Sequence, residues 1–347
     1  MRGNLIKGFL LFWLFSACNN TVGVSDLRQS DVTIDREAED TPSKTLESSA
    51  HTLETPDPKA KVVLSVLGVM QDGGRPHLGC QKSCCVADSI PSDVDYRVVS
   101  LGLFDREHTK GYMIETTPDF VAQWRTFSRI FPEMVLNTLG GIFLTHAHMG
   151  HYLGLSYLGK EAYNAKEIPV YAMPRMAEFL NNNGPWSQLV NNHNVELRSM
   201  THNDTLQLTS NISVVPLLVP HRDEYSETVG YQIIGPEKTA LFIPDIDKWD
   251  RWNQSILALI KQVDYAFLDA TFYDGQELQN RDMSLVPHPF IVESLDLFER
   301  LDTPDRNKVY FIHFNHTNPV LNADSEAANR VKQAGFNIAK QGQHFVL

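Results

Sequence analysis

Four apolar runs in this chain each end beside a side chain that binds metals. GIFLT is followed by His146, VVPLLVP by His221, ALFIP by Asp245 and VYFI by His313. Strands buried on both faces read as continuous apolar runs, and the loops that leave strand ends are where a rigid scaffold presents reactive groups. The pattern therefore predicts buried strands whose C-terminal ends converge on one cleft. Between these runs, residues 118–131, 174–182, 254–263 and 289–301 carry apolar positions three and four apart, as helices do. Pro118 and Pro289 suit first-turn positions. KVVLSVLGV, residues 61–69, is a further strand that stops at the Gly73-Gly74 turn. With no internal repeat and no second linker, residues 59–347 read as one α/β domain.

The first strand end continues as His146-Ala147-His148-Met149-Gly150-His151. Imidazoles at these spacings gather around a transition metal, held at about 2.0–2.1 Å with a position left open for water. The ion lowers the pKa of such a water from about 15.7 to about 7, which makes a hydroxide nucleophile at neutral pH without a strong protein base. The same ligands with iron or copper support oxidative chemistry, so ligand type alone leaves the reaction class open. His51, His108, His193, His202 and His344 lack such company and read as surface residues.

His146-x-His148-x-Gly150-His151 after a strand, a lone His221, Asp245 at another strand end and a late His313 together resemble the metallo-β-lactamase superfamily, over essentially all of residues 61–347. VLGVMQDGGRPHLGCQKSCC and FIHFNHTNPVL are most similar to its pyrroloquinoline-quinone biosynthesis protein B branch and to related phosphodiesterases with an extra cysteine-bound zinc. The resemblance implies an αββα sandwich, two mixed sheets flanked by helices, with the metal cleft at one edge. It implies zinc on His146, His148 and His221, with Asp245 bridging to a second ion served by His151 and His313. Asp245 or Asp247 is placed to orient the nucleophilic water, and the resemblance implies that His288 contacts a substrate oxyanion or leaving group. Gly150 departs from the family pattern, which has aspartate there. Either the second site is weaker, or another carboxylate replaces the missing one, or only one metal binds; Asp247 and Asp269 are the available substitutes. His316 competes with His313 as the late ligand. Asp223 is a candidate partner that fixes a histidine tautomer. Arg222 either receives an anionic substrate group or pairs with its acidic neighbours.

Cys80, Cys84 and Cys85, with His77 close by, read either as a tetrahedral structural zinc site or as a disulfide with a free thiol. The start of the chain, MRGNLIKGFLLFWLFSAC, has Arg2 and Lys7 before an apolar stretch too short to span a bilayer. It resembles a bacterial lipoprotein signal, residues 1–18, with lipidation at Cys18. Residues 19–58 are polar and proline-punctuated and read as a disordered tether. A net charge of -12 excludes a surface built to grip nucleic acid phosphates, so the expected partners are a small-molecule substrate and, through the lipid anchor alone, a membrane. The function these features predict is an exported metal-dependent hydrolase of a small ester or phosphodiester. An oxidative or cofactor-maturation enzyme and a non-catalytic metal-binding lipoprotein are the alternatives.

Overall fold

The computed structural model describes residues 55–86, 96–278 and 281–347. The expected leader, Cys18 and the tether up to residue 54 lie outside the described residues. Among those described, no helix is long and apolar enough to cross a membrane.

The strands are β1 (Val62–Gly68), β2 (Ser100–Asp105), β3 (Lys110–Ile114), β4 (Gly141–Phe143), β5 (Ile168–Ala172), β6 (Val195–Ser199), β7 (Leu206–Gln207), β8 (Ser213–Leu218), β9 (Val229–Ile234), β10 (Thr239–Ile243), β11 (Tyr265–Asp269), β12 (Val309–Ile312), β13 (Asn337–Ile338) and β14 (His344–Val346). They form two seven-stranded sheets, β14-β1-β2-β3-β4-β5-β6 and β13-β12-β11-β10-β9-β8-β7. Each sheet is mixed. The β3–β6 and β10–β13 stretches are parallel and the remaining pairs antiparallel.

The helices are α1 (Phe120–Ile130), α2 (Met149–Tyr152), α3 (Pro174–Asn182), α4 (Trp186–Asn191), α5 (Ile256–Gln262), α6 (Ile291–Phe298), α7 (Thr303–Arg306) and α8 (Glu326–Gln333). They cover the outer faces. Phe120 and Phe127 of α1, Met176 and Leu180 of α3 and Leu189 of α4 pack with Val63, Phe104, Met113 and Ile142 on the outside of the first sheet. Ile260 of α5, Leu295 and Phe298 of α6 and Val331 of α8 belong to the larger cluster that also contains the inward faces of both sheets. The result is an αββα sandwich, as the sequence predicts. The four expected helices are present; α3 matches its expected bounds and α1, α5 and α6 are one to three residues shorter at each end. β1, β4 and β12 lie within the expected runs, and β8 and β10 each begin one residue before theirs.

Asp105, fully buried at the end of β2, ties the two sheets together. Its carboxylate accepts from Thr209 Oγ1 at 2.6 Å and Asn211 Nδ2 at 3.3 Å in the β7–β8 turn, and from His108 Nδ1 at 2.8 Å. Burial pushes this carboxyl up, but the Thr209 hydroxyl and the other donors outweigh it and hold it below its ordinary range. A depressed carboxylate contributes stability that is present above about pH 4 and is lost as pH falls through the lower folded value. Asp105→Asn is expected to cost about 1–3 kcal/mol in urea denaturation at pH 7 and to flatten the loss of stability below pH 4.

Candidate metal centre

The cleft lies where the C-terminal ends of strands from both sheets meet. The segment after β4 is held from the opposite sheet: Tyr231 Oη donates to Leu144 O, Ala147 N donates to Ser226 Oγ at 2.9 Å, and Val229 N donates to Thr145 O at 3.1 Å. Asp247 N donates to Pro220 O at 2.7 Å, which locks the end of β8 against the end of β10. These ties fix His146, His148, His221 and Asp245 relative to one another before any ligand binds.

Four donor atoms converge there. His146 Nε2 lies 2.9 Å from His148 Nδ1, His148 Nδ1 lies 3.3 Å from His221 Nε2, and Asp245 reaches His146 Nε2 at 3.3 Å and His221 Nε2 at 3.2 Å. A tetrahedral zinc with bonds of about 2.0–2.1 Å separates its donors by roughly 3.3 Å, so the four atoms suit one ion. The outer nitrogens of His146 and His148 are engaged elsewhere, which helps fix the rings, whereas His221 Nδ1 is buried without a hydrogen-bond partner. His146 Nδ1 shares a hydrogen bond with Thr145 Oγ1 at 2.9 Å, and His148 Nε2 donates to Glu224 Oε2 at 3.3 Å. Burial drives the His146 imidazole well below its ordinary range, which keeps a lone pair for a metal.

Beside this group stand His151 and His313. His151, on the single turn of α2, has Nδ1 3.4 Å from Glu115 Oε1 and Nε2 3.2 Å from Asp72 Oδ1 and 3.8 Å from Asp245 Oδ2. Burial favours a neutral imidazole, yet Glu115 and Asp72 outweigh it and draw positive charge onto this ring. His313 follows β12, with Nδ1 2.9 Å from Thr271 Oγ1. Burial lowers it to about 4, so it stays neutral. Asp72 Oδ1, His151 Nε2, His313 Nε2 and Asp245 Oδ1 are buried and make no hydrogen bond. Orphaned buried acceptors and imidazole nitrogens cost about 1–3 kcal/mol each, and a cation satisfies them together. Glu115 and His313 also adopt left-handed backbone conformations, φ 76° and 68°, at a cost of about 1 kcal/mol or more each for residues with a side chain. Two such residues at the cleft indicate that its geometry is imposed by the surrounding fold.

His288 lies between the histidine groups, with ring centroids 5.5 Å from His221 and 6.1 Å from His313. Its Nδ1 donates to Asp269 Oδ2 at 2.8 Å and lies 3.2 Å from Asp245 Oδ1. Asp269 is itself saturated by Thr271 Oγ1 at 2.7 Å and Ile246 N at 3.1 Å. The structure thus brings Asp269 to His288 rather than to the place opposite Gly150. Asp247 turns away, pairing with Arg251 at 2.7 Å and capping Lys248 N. Asp223 accepts from Thr228 Oγ1 at 3.0 Å, while the neighbouring Glu224 is the carboxylate that meets a histidine. Arg222 is exposed, 3.9 Å from Glu224.

A separate cluster joins Cys80, Cys84, Cys85 and His316. His316, expected as a rival to His313, faces the thiols instead, with Nδ1 3.5 Å from Cys84 Sγ and 3.3 Å from Cys85 Sγ. His77 is the residue displaced from the expected set. Its Nδ1 faces Leu78 O and its ring stacks on His316 at 4.5 Å. The sulfur separations, 3.9 Å for Cys80–Cys84 and 3.7 Å for Cys84–Cys85, compare with roughly 3.8 Å between thiolates on one tetrahedral zinc. Burial and the neighbouring Cys85 and Cys80 thiols push Cys84 up to about 12, a penalty on its thiolate that a bound cation would offset. Burial lowers His316 to about 4 and leaves it a neutral donor.

Asp72 and Glu115 were not among the candidates read from the sequence. Each follows a buried strand, β1 and β3, as the histidines do, and that position is the signal that identifies them.

This chain is similar to known proteins in sequence and fold. The β-lactamase superfamily domain model matches residues 111–314. The coenzyme PQQ synthesis protein B of Methylobacillus flagellatus is 25% identical over 313 residues, covering 82% of this chain and 99% of its own. That of Nitrosococcus oceani is 22% identical over 318 residues, with 82% and 100% covered. Among solved structures, zinc-bound PqqB from Methylobacterium extorquens superposes with a TM-score of 0.68 at 20% identity, covering 82% of this chain and all of that one. A diphosphatase from the PhnP family gives 0.57 at 22%, covering 82% and 96%. With that model spanning more than half of its length, and its strand ends delivering the histidines and aspartate of the same fold, this chain belongs to the metallo-β-lactamase superfamily.

Proposed function

We propose that this protein is a metal-dependent hydrolase of a small ester or phosphodiester-type substrate, exported and held at a bacterial membrane by a lipid on Cys18. The observation that carries the reading is the convergence of His146, His148, His221 and Asp245 on one point beside a second group of orphaned donors. When bound, zinc supplies Lewis acidity and lowers the pKa of a coordinated water to about 7. The chain's own groups do the rest. Asp245, 2% exposed, orients an attacking water through a carboxylate oxygen. His288, with Nδ1 committed to Asp269, presents Nε2 to negative charge that develops on the substrate. Arg222, exposed at the rim, receives an anionic substituent.

The likeness to coenzyme PQQ synthesis proteins favours a second reading, cofactor maturation or oxidation, in which the same ligands hold iron or copper. The test is a panel of aryl esters, phosphodiesters and diphosphate diesters offered to the purified protein loaded in turn with zinc, manganese and iron. Zinc- or manganese-dependent turnover of one class supports hydrolysis. Normal metal binding with inertness across the panel excludes it.

The cysteine cluster fits a structural zinc. Cys85→Ser is expected to remove about one zinc equivalent and lower the melting temperature while the catalytic ion is retained, read by elemental analysis and thermal unfolding. Unchanged metal content would instead indicate thiols that serve packing.

A further inference from the structure

Gly150 occupies the position where the resemblance leads one to expect a carboxylate, and the reason is steric. A Cβ on Gly150 would lie 2.6 Å from Asp72 Cα and 2.2 Å from Asp72 Oδ1. Backbone atoms cannot give way as a flexible side chain can, so the segment carrying Asp72 excludes any side chain at position 150. Asp72 fills that space with its own carboxylate. Its Oδ1 stands 3.2 Å from His151 Nε2, and the donor atoms of Asp72, His151 and His313 lie within 4.8 Å of one another.

The segment is not a loose turn that happens to touch the cleft. Phe314 N donates to Val69 O and Gln71 N donates to Phe314 O, both at 2.8 Å, which stitches the end of β1 in one sheet to the residue after His313 in the other. Met70 pairs with both Val98 and Phe314. Asp72 is therefore positioned by the same backbone that positions His313. His151 and His313 are fully buried, and their Nε2 atoms, like Asp72 Oδ1, have no hydrogen-bond partner. Asp72 Oδ1 and His151 Nε2 meet each other at 3.2 Å and His313 Nε2 meets no partner, and these three donors converging with Asp245 Oδ2 3.8 Å from His151 Nε2 suit a cation better than packing alone.

We infer that Asp72 is the carboxylate ligand of a second divalent cation, bound with His151 and His313 and bridged through Asp245 to the first, so that the chain is binuclear although position 150 is glycine. The carboxylate has moved from the helical turn after β4 to the turn after β1. Mixed imidazole and carboxylate donors suit zinc or manganese. The inference rests on the metal reading proposed above.

The test counts metal in the full chain by elemental mass spectrometry and reads Mn(II) electron paramagnetic resonance, neither of which depends on turnover. Wild type is expected to hold about two equivalents beyond the cysteine site and, when loaded with manganese, to give the spectrum of an exchange-coupled pair. Asp72→Asn keeps the side chain's volume and removes its charge. It is expected to lose about one equivalent, weaken second-site affinity by about 100-fold or more, and give the signal of isolated Mn(II). Gly150→Ala should also lose second-site occupancy, because its Cβ forces the Asp72 segment and the α2 turn apart, with far-UV circular dichroism reporting whether the fold is retained. Two active-site equivalents in both variants, or loss of both ions from a folded Asp72→Asn, would overturn the assignment. One equivalent in wild type, lost on His221→Ala, would overturn it and leave the first site standing, whereas full metal content in His221→Ala would reject the metal reading itself.

Discussion

His221→Ala is expected to lose the first active-site ion and to lower kcat/KM on the best substrate of the panel by about 1,000-fold or more, equivalent to about 4 kcal/mol of transition-state stabilisation. His221 Nε2 lies within 3.3 Å of both His148 Nδ1 and Asp245 Oδ1, so its removal deletes one of four donors and uncovers the carboxylate that balances them. Only His146, His148 and Asp245 remain of the four donors. The fold should survive. His221 follows β8 rather than lying within it, and β8 keeps its pairing with β9 from Ser213 to Leu218. Elemental analysis beside the rate separates the possibilities: loss of zinc with loss of turnover supports the hydrolase. Iron or copper in place of zinc would favour the oxidative reading, and unchanged metal content would favour a binding protein.

The strand-end rule that made His146, His221, Asp245 and His313 legible rests on one physical fact: a strand buried on both faces confines polar and charged side chains to its ends, where hydrogen-bond partners can be reached. Applied to every buried strand, it also reaches Asp72 after β1, Glu115 after β3 and Asp269 at the end of β11. Two of these escape notice because the intervening sequence disguises them. β1 is followed by an isolated bridge at Met70 and a turn, so Asp72 looks like part of the Gly73-Gly74 loop. Glu115 comes before a long excursion through α1 and looks like a surface residue of a strand edge, although it is fully buried behind His151.

The exchange of His77 for His316 has a different cause. Proximity in sequence favours His77, but the thiol loop packs against the segment after β12, and such a contact between residues more than 200 positions apart leaves no local pattern. Gly150 shows the same limit from the other side. Glycine at that position signals a missing ligand when read alone, and it signals a close backbone approach once Asp72 Cα is seen 2.6 Å from where its Cβ would be.

His288→Asn is expected to lower kcat by about 100- to 1,000-fold while zinc content and KM change little, which marks a group that acts on the transition state rather than on the ion. Burial alone would push this imidazole down. The carboxylates of Asp269 and Asp245 outweigh it and raise His288 to about 9. A raised histidine is protonated below its folded value, so the positive charge it offers through Nε2 is present at neutral pH and is lost as pH rises through about 9. A cation on Asp245 would offset that carboxylate's share of the raise, so wild-type kcat should fall on an alkaline limb set by Asp269, between the ordinary histidine value and about 9, and the limb should be absent in His288→Asn. Asp269→Asn removes the first of the two raising carboxylates and leaves His288 in place, so the limb should move toward the ordinary histidine value of about 6.5 with the ion still bound. A limb that persists in His288→Asn would assign the titration to another group and reduce His288 to a packing role. The shift in Asp269→Asn is the outcome that a packing role cannot produce, because the titration of a ring that only fills space would leave kcat unchanged.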